Sequence, residues 1–397
     1  MLDRRSSERL SMLRFPLIVG VVFIHAGYNV GVSYGELAAA NGGVAEFVEN
    51  LISQGVAQTA VPLFFLMSGY FFFLGFDASR KAYQEKLSTR TRTLLIPFLL
   101  WNLALLLGIA IAQAMPGSRP FLSGKNAPIA SYGIVDCVAA IFGIGRDPIG
   151  FQFWFIRDLM LLVLLTPVIG WANKHAPLLF LGVLSVGWLI PFGPFHLRSS
   201  EALLFFSLGA YCGTRKKSLF ALDKYAAFFL AAYAILLVAG ALFRKEAFAH
   251  HLYRPSIAIG VAAVLCSTKY LARSARVSRV LLSLDGVSFF VFAAFEPLFL
   301  IMHKVTSGVL RPESSAMLLA IYFTLPILVI TFLLFVFRVL SRISPRVLGF
   351  ATGGRGLGRN VAEGESIGIA IRVHAATSSP HRNSSAPPKA VIARRIE

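Results

Sequence analysis

Charge is scarce in this 397-residue chain, and acidic charge scarcest of all. Asp and Glu number 19 against 38 Lys and Arg, and charged residues together make up only 14%. Soluble domains carry about one quarter charged residues, so this composition argues against a soluble class. Cysteine is nearly absent: Cys137, Cys212 and Cys266 are scattered, and two of them lie in apolar runs. They form neither a disulfide framework nor a metal-ligand spacing, and read as small packed thiols. No groove-reading motif or basic helix is present, so the net charge of +19 does not point to nucleic acid. Internal repeats are also missing.

What is present is apolar. Hydrophobic residues make up 56%, mean hydropathy is +0.70, and the apolar residues fall in blocks long enough to span a bilayer. Ten segments emerge, at roughly 12–32, 57–76, 93–115, 152–172, 177–193, 200–214, 224–243, 255–272, 284–304 and 315–340. The fifth and sixth are short, and the sixth has a re-entrant reading. The expected fold is therefore all-α, a polytopic membrane helix bundle of about ten transmembrane helices. Basic Arg4, Arg5 and Arg9 before an apolar run have the look of a signal peptide, but the run carries His25 and no clear cleavage site, so an uncleaved first helix is expected.

The loops give an orientation. The loop after the first segment carries Glu36, Glu46 and Glu49 and no Lys or Arg, whereas the next carries Arg80, Lys81, Lys86, Arg90 and Arg92. Further basic clusters lie at Arg215–Lys217, at Lys269–Arg279 and at Arg338–Arg346, all on the N-terminal side of a ten-helix count. The positive-inside rule then places both termini in the cytoplasm. Arg244, Lys245 and Arg254 fall on the other side, so the bias is strong but imperfect. After Leu348 the chain turns rich in Gly, Ser, Ala, Pro and Arg. Residues 1–348 are read as the membrane domain and 349–397 as a disordered basic cytoplasmic tail.

Within the apolar blocks a few polar residues stand out, and ionisable groups at membrane depth are costly. Arg14 and His25 lie eleven residues apart, three helical turns plus about 20°, on one face and about 16 Å apart along the axis. Tyr28 and Asn29 follow on that face. Alone, Arg14 reads equally as a snorkelling anchor, and a lone buried histidine as structural; their shared face draws both toward function. Ser68-Gly69 in the second segment is either a close helix contact or a substrate contact. Trp154, Arg157 and Asp158 open the fourth segment at a depth near His25, although the Arg-Asp pair can neutralise itself and Trp154 can belong to an interfacial belt. Glu296 stands beside Pro297 in the ninth segment and should face the bundle, toward Arg157 or His25.

Taken together, these stretches resemble the acyltransferase-3 family of bacterial membrane acyltransferases. The resemblance runs from about Arg9 to Leu340 and rests on Arg14 and His25, Val61-Pro-Leu-Phe-Phe-Leu-Met-Ser-Gly-Tyr70, the basic run into Leu95-Ile-Pro-Phe-Leu-Leu-Trp101, Phe153-Trp-Phe-Ile-Arg-Asp-Leu159, and Phe205-Phe-Ser-Leu-Gly209. It implies a multi-pass protein of the bacterial inner membrane. The implied reaction is transfer of an acyl group, commonly acetyl, from cytosolic acyl-CoA to a hydroxyl of an envelope or extracellular glycan such as O-antigen or exopolysaccharide. His25 and Arg14 take the positions of that family's essential pair. The chain departs from relatives in having Phe295 before Glu296-Pro297, where a histidine is frequent, and Arg90-Thr-Arg92 before Pro97, where the arginines are often three apart. The esterase-like domain fused to some members is missing.

The expected partners are acyl-CoA as donor substrate, a glycan or glycolipid acceptor, and the bilayer, with no permanently bound cofactor or metal. Arg14, Arg90 and Arg92 are expected to bind the donor's phosphates. His25 is expected to act as general base or to become transiently acylated. Trp154, Arg157, Asp158, Ser68 and Glu296 are the candidates for the acceptor pocket. A transporter using His25, Arg157 and Glu296 fits the intramembrane charges on physics alone, but paired interrupted helices in matching halves are lacking.

Overall fold

The computed structural model describes residues 3–26, 43–76, 79–118, 126–190, 198–246, 248–310 and 314–355. Tyr28, Asn29 and Glu36 lie outside the described residues. The described residues form sixteen α-helices and no strand. In chain order they are α1 (Arg4–His25), α2 (Val44–Ile52), α3 (Ala60–Phe73), α4 (Arg80–Arg90), α5 (Ile96–Ala114), α6 (Ile134–Phe142), α7 (Trp154–Leu164), α8 (Thr166–His175), α9 (Pro177–Leu189), α10 (Arg198–Thr214), α11 (Ala226–Leu242), α12 (Ala249–Leu271), α13 (Ala275–Leu284), α14 (Ser288–Leu310), α15 (Ser315–Ile343) and α16 (Pro345–Thr352).

The described part of each of the ten apolar segments falls on helices. Among the described residues, six continuous helical stretches are long and apolar enough to cross a membrane, and seven if α7 and α8, bent by 60° at Leu165, count as one span. The remaining segments miss on length or polarity. The helix α9 has 13 residues and α10 has 17, while α12 opens near His251 and Arg254 and ends near Lys269, which dilutes its apolar run.

At the centre stands α1. It packs against α3, α12, α13, α14 and α15, and Leu10, Met12, Leu13, Phe15, Leu17, Ile18, Val21 and Val22 are all buried. A helix apolar on every side belongs in the middle of a bundle, which is where this one lies. Its first turns are tied down by Arg9, whose guanidinium reaches both carboxylate oxygens of Asp223 (2.6 and 2.9 Å) and Thr268 Oγ1 (2.8 Å) while lying 3.7 Å from the centre of the Phe220 ring.

The closest crossing joins α3 to α10. A Cβ on Gly69 would come within 2.0 Å of the Phe206 carbonyl oxygen, and one on Gly209 within 2.0 Å of the Leu66 oxygen. Only glycine permits the backbones this approach, the arrangement that small residues give to membrane helices. Ser68 is buried beside this crossing.

Helical structure continues past the expected boundary at 348. Pro345 stands in the first turn of α16, where its missing N–H costs nothing. Leu348 and Thr352 are buried, and Trp101 on α5 donates its indole N–H to the Ala351 carbonyl at 2.9 Å. The helix stops at Gly353 and Gly354, both at positive φ.

Candidate functional site

Two places on α1 hold expected site residues, one at the middle of the helix and one at its C-terminal end. At the middle, Arg14 Nη1 donates to both carboxylate oxygens of Asp285, at 3.0 and 3.1 Å. Asp285 opens the single 3-10 turn (Asp285–Val287) that leads into α14. A carboxylate at the start of a helix is favoured by the unpaired N–H groups there. The pair is largely enclosed, with side-chain exposures of 19% and 14%.

A second guanidinium joins from α4. Between α4 and α5 the chain widens into one π turn, Thr91–Leu95. Pro97 has no N–H to offer the Thr93 carbonyl, so the regular ladder cannot run through this point. The two arginines of the basic run, two residues apart and so about 200° around a helix, lie on opposite faces. Arg90 is buried, at 6% exposure, within Coulombic range of Arg14, and among the described residues its guanidinium has no hydrogen-bond or ion-pair partner. Arg92 is exposed. Of the expected donor-binding set, Arg14 and Arg90 are brought together and Arg92 is not.

The third is Arg355, just beyond α16. Its guanidinium lies 4.5 Å from the centre of the Phe289 ring, one helical turn after Asp285. Burial pushes this guanidinium down to about 9, with Arg14 and Arg90 acting in the same direction and Asp285 against them. It still carries its charge at neutral pH. Three guanidiniums are therefore grouped near one carboxylate, which is bonded to Arg14.

The C-terminal end of α1 is different in kind. His25 is the last residue of the helix, half-buried, with its ring between two phenylalanines. The Phe151 ring stands edge-on at 5.6 Å between centroids, and the Phe295 ring is tilted at 5.5 Å. Phe295 is the residue that stands where relatives often have histidine, and it is fully buried. The backbone two residues before His25 is held firmly. Ser53 Oγ donates to the Phe23 carbonyl at 2.5 Å and lies 2.7 Å from the Tyr322 hydroxyl. From Ser53 the contacts continue through Gln58 to Tyr253. A small open cleft lies beside them, lined in part by Asn50, Gln54, Arg244, Tyr253 and Ser256.

The remaining expected site residues are placed as follows. Trp154 begins α7 half-buried, its ring 6.5 Å from that of Phe155. Arg157 bonds Asp158 Oδ1 at 3.0 Å and the Gly143 carbonyl at 3.0 Å, so it closes α6 while neutralising its buried neighbour. Glu296 is half-buried on α14, directly after the phenylalanine that touches His25.

Sequence reasoning missed Asp285, Arg355, Phe151 and the role of Phe295 as a wall. A signal for Arg355 was available. Ser344-Pro345 followed by Gly353-Gly354 spells a helix start and stop. Asp285 is separated from Arg14 by 271 residues, and no local pattern joins them.

Comparison with known proteins gives the reaction class. A family profile described as an acyltransferase domain, that of the acyltransferase-3 family, matches residues 8–339. The chain is also similar to the succinoglycan biosynthesis protein ExoH of Rhizobium meliloti (strain 1021), with 26% identity over 366 residues, covering 89% of this chain and 94% of the relative. No solved structure matches. The profile spans both the Arg14–Asp285 pair and the His25 ring, and the protein belongs to the acyltransferase-3 family, as a multi-pass membrane acyltransferase.

Proposed function

We propose that this enzyme moves an acyl group, acetyl in the simplest case, from cytosolic acyl-CoA to a hydroxyl of an envelope or extracellular glycan at the bacterial inner membrane. The observation that carries this reading is the division of labour along α1. A group of arginines lies at its middle and a histidine between aromatic rings at its C-terminal end, eleven residues or about 16 Å away.

Acyl-CoA carries several phosphate charges and does not cross a bilayer. Its head binds at the arginine group through charge-assisted hydrogen bonds from Arg14 and Arg90. The pantetheine arm is long and thin enough to reach between helices, which brings the thioester to His25. There the imidazole takes the proton of the acceptor hydroxyl as the oxygen attacks the thioester carbon. The carbon–sulfur bond breaks, and the imidazolium returns the proton to the departing thiolate. The acceptor approaches from the His25 end, past Trp154. The name of the succinoglycan biosynthesis relative supports a glycan acceptor for this chain.

The covalent alternative, a transient acyl-histidine, is separated by rapid quench with labelled donor and no acceptor: label retained on the protein would establish it. The transporter reading is set aside by the family assignment. The proposal itself is tested by acyl incorporation into envelope glycan in cells carrying Arg14→Ala or His25→Ala protein at wild-type abundance.

A further inference from the structure

Charge around Arg14 does not balance. Arg14 is held by Asp285, but Arg90 is buried with no carboxylate of its own, and Arg355, over the Phe289 ring, lies within Coulombic range of Arg14, Arg90 and Asp285. Three guanidiniums against one carboxylate leave two positive charges in a largely desolvated place. Burying an unpaired guanidinium costs several kcal/mol, and such a site is relieved by an anion carrying more than one negative charge.

The position of Arg355 is fixed by backbone geometry. After α16 the chain reverses through Gly353 (φ 62°) and Gly354 (φ 81°), conformations that side chains disfavour. A Cβ on Gly353 would stand 2.8 Å from the Thr93 Cα, so this turn is pressed onto the π turn that follows Arg90. On its other side Arg355 rests on Phe289, four residues after Asp285. The segment 351–355 thus bridges the element carrying Arg90 and the element holding Arg14. Arg355 gives one N–H to the Thr352 carbonyl at 3.1 Å, and a guanidinium has five.

We propose that Arg355 completes, with Arg14 and Arg90, a single polyphosphate-binding site, and that the turn 353–355 therefore lies against the phosphates of the donor. This rests on the reading of acyl-CoA as donor. Arg355 lies beyond residues 8–339 and so outside the family's matched region. Asp285 then competes with the incoming phosphates for Arg14. Removing that carboxylate strengthens anion binding.

The test is isothermal titration of the full-length protein in detergent with two probes, acetyl-CoA and inorganic pyrophosphate. The proposal expects Arg355→Gln to weaken both about tenfold or more, and Arg355→Lys, which keeps the charge but loses the fork, to fall between. Affinity should also become less sensitive to salt in Arg355→Gln. Arg346→Gln, an exposed arginine on α16, should leave both affinities unchanged. If Arg355→Gln unfolds, the decision passes to Arg355→Lys and to the rise in thermal midpoint that pyrophosphate gives it compared with wild type. Acetyl-CoA and pyrophosphate binding unchanged in the Arg355 variants but lost in Arg90→Gln would overturn the role of Arg355 and leave the donor reading standing. Pyrophosphate binding that depends on Arg355, without acetyl-CoA binding, would uphold the anion site and sink the donor reading. An Arg346→Gln effect as large as that of Arg355→Gln would reduce the whole result to surface charge and refute the proposal.

Discussion

Arg14 gives one guanidinium nitrogen to both oxygens of Asp285, at 3.0 and 3.1 Å, and so ties the middle of α1 to the turn preceding α14. The pair anchors the central helix and occupies an arginine proposed to bind the donor. The two roles pull apart in a variant. Asp285→Asn is expected to lower the thermal midpoint by the equivalent of about 2 kcal/mol, less than the 3–5 kcal/mol for a fully buried pair because both side chains keep some exposure. The same variant should bind pyrophosphate more tightly than wild type. Loss of both stability and anion affinity would contradict the competition.

The second prediction separates anchoring arginines from donor arginines. Arg9 is satisfied by Asp223, Thr268 and the Phe220 ring, and its bonds leave no charge over. Arg9→Ala should cost about 3 kcal/mol by stranding the Asp223 carboxylate, seen as reduced abundance and a lower thermal midpoint. The KM for acyl-CoA of the protein that does fold should not move. A raised KM at unchanged stability would place Arg9 in the donor site instead.

A third concerns the glycines. Gly69→Ala puts a methyl group 2.0 Å from the Phe206 carbonyl and must force α3 and α10 apart, at roughly 3 kcal/mol. Gly108 on α5 has open space around it, and Gly108→Ala should be neutral or stabilise by up to about 1 kcal/mol. Thermal midpoints in one detergent compare the two directly, and equal effects would mean that the α3–α10 crossing is looser than described.

This contrast also shows what the sequence could and could not reveal. The ten apolar segments were legible because bilayer thickness imposes a length on each, and the described part of each lies on helices. The shared face of Arg14 and His25 was legible because helical periodicity is local. Partners were not. Asp285 reads as the start of an Asp-Gly turn, and its ion pair spans 271 residues. Arg90 and Arg92 must face opposite ways on a helix, but which of them is buried depends on packing that no local pattern shows. Arg157 and Asp158 could be paired from adjacency alone, and are. Arg355 was assigned to the tail because a glycine-rich composition outweighed the helix signals on either side of α16.

The aromatic walls of His25 carry a fourth prediction. Phe295→Ala removes a fully buried ring from one side of the imidazole. A base displaced by about 1 Å loses on the order of 10²-fold in rate, so kcat should fall by about that factor while acyl-CoA affinity stays near wild type. Weaker donor binding with kcat preserved would show that Phe295 supports the donor path rather than the base.

The central claim is that His25 performs the transfer. It is tested most directly by measuring labelled acyl incorporation into envelope glycan with His25→Ala protein, matched to wild type in abundance and thermal midpoint. The account predicts a fall on the order of 10²–10⁴-fold, the usual contribution of a general base, with acetyl-CoA still bound. Transfer at the wild-type rate in that protein would contradict it.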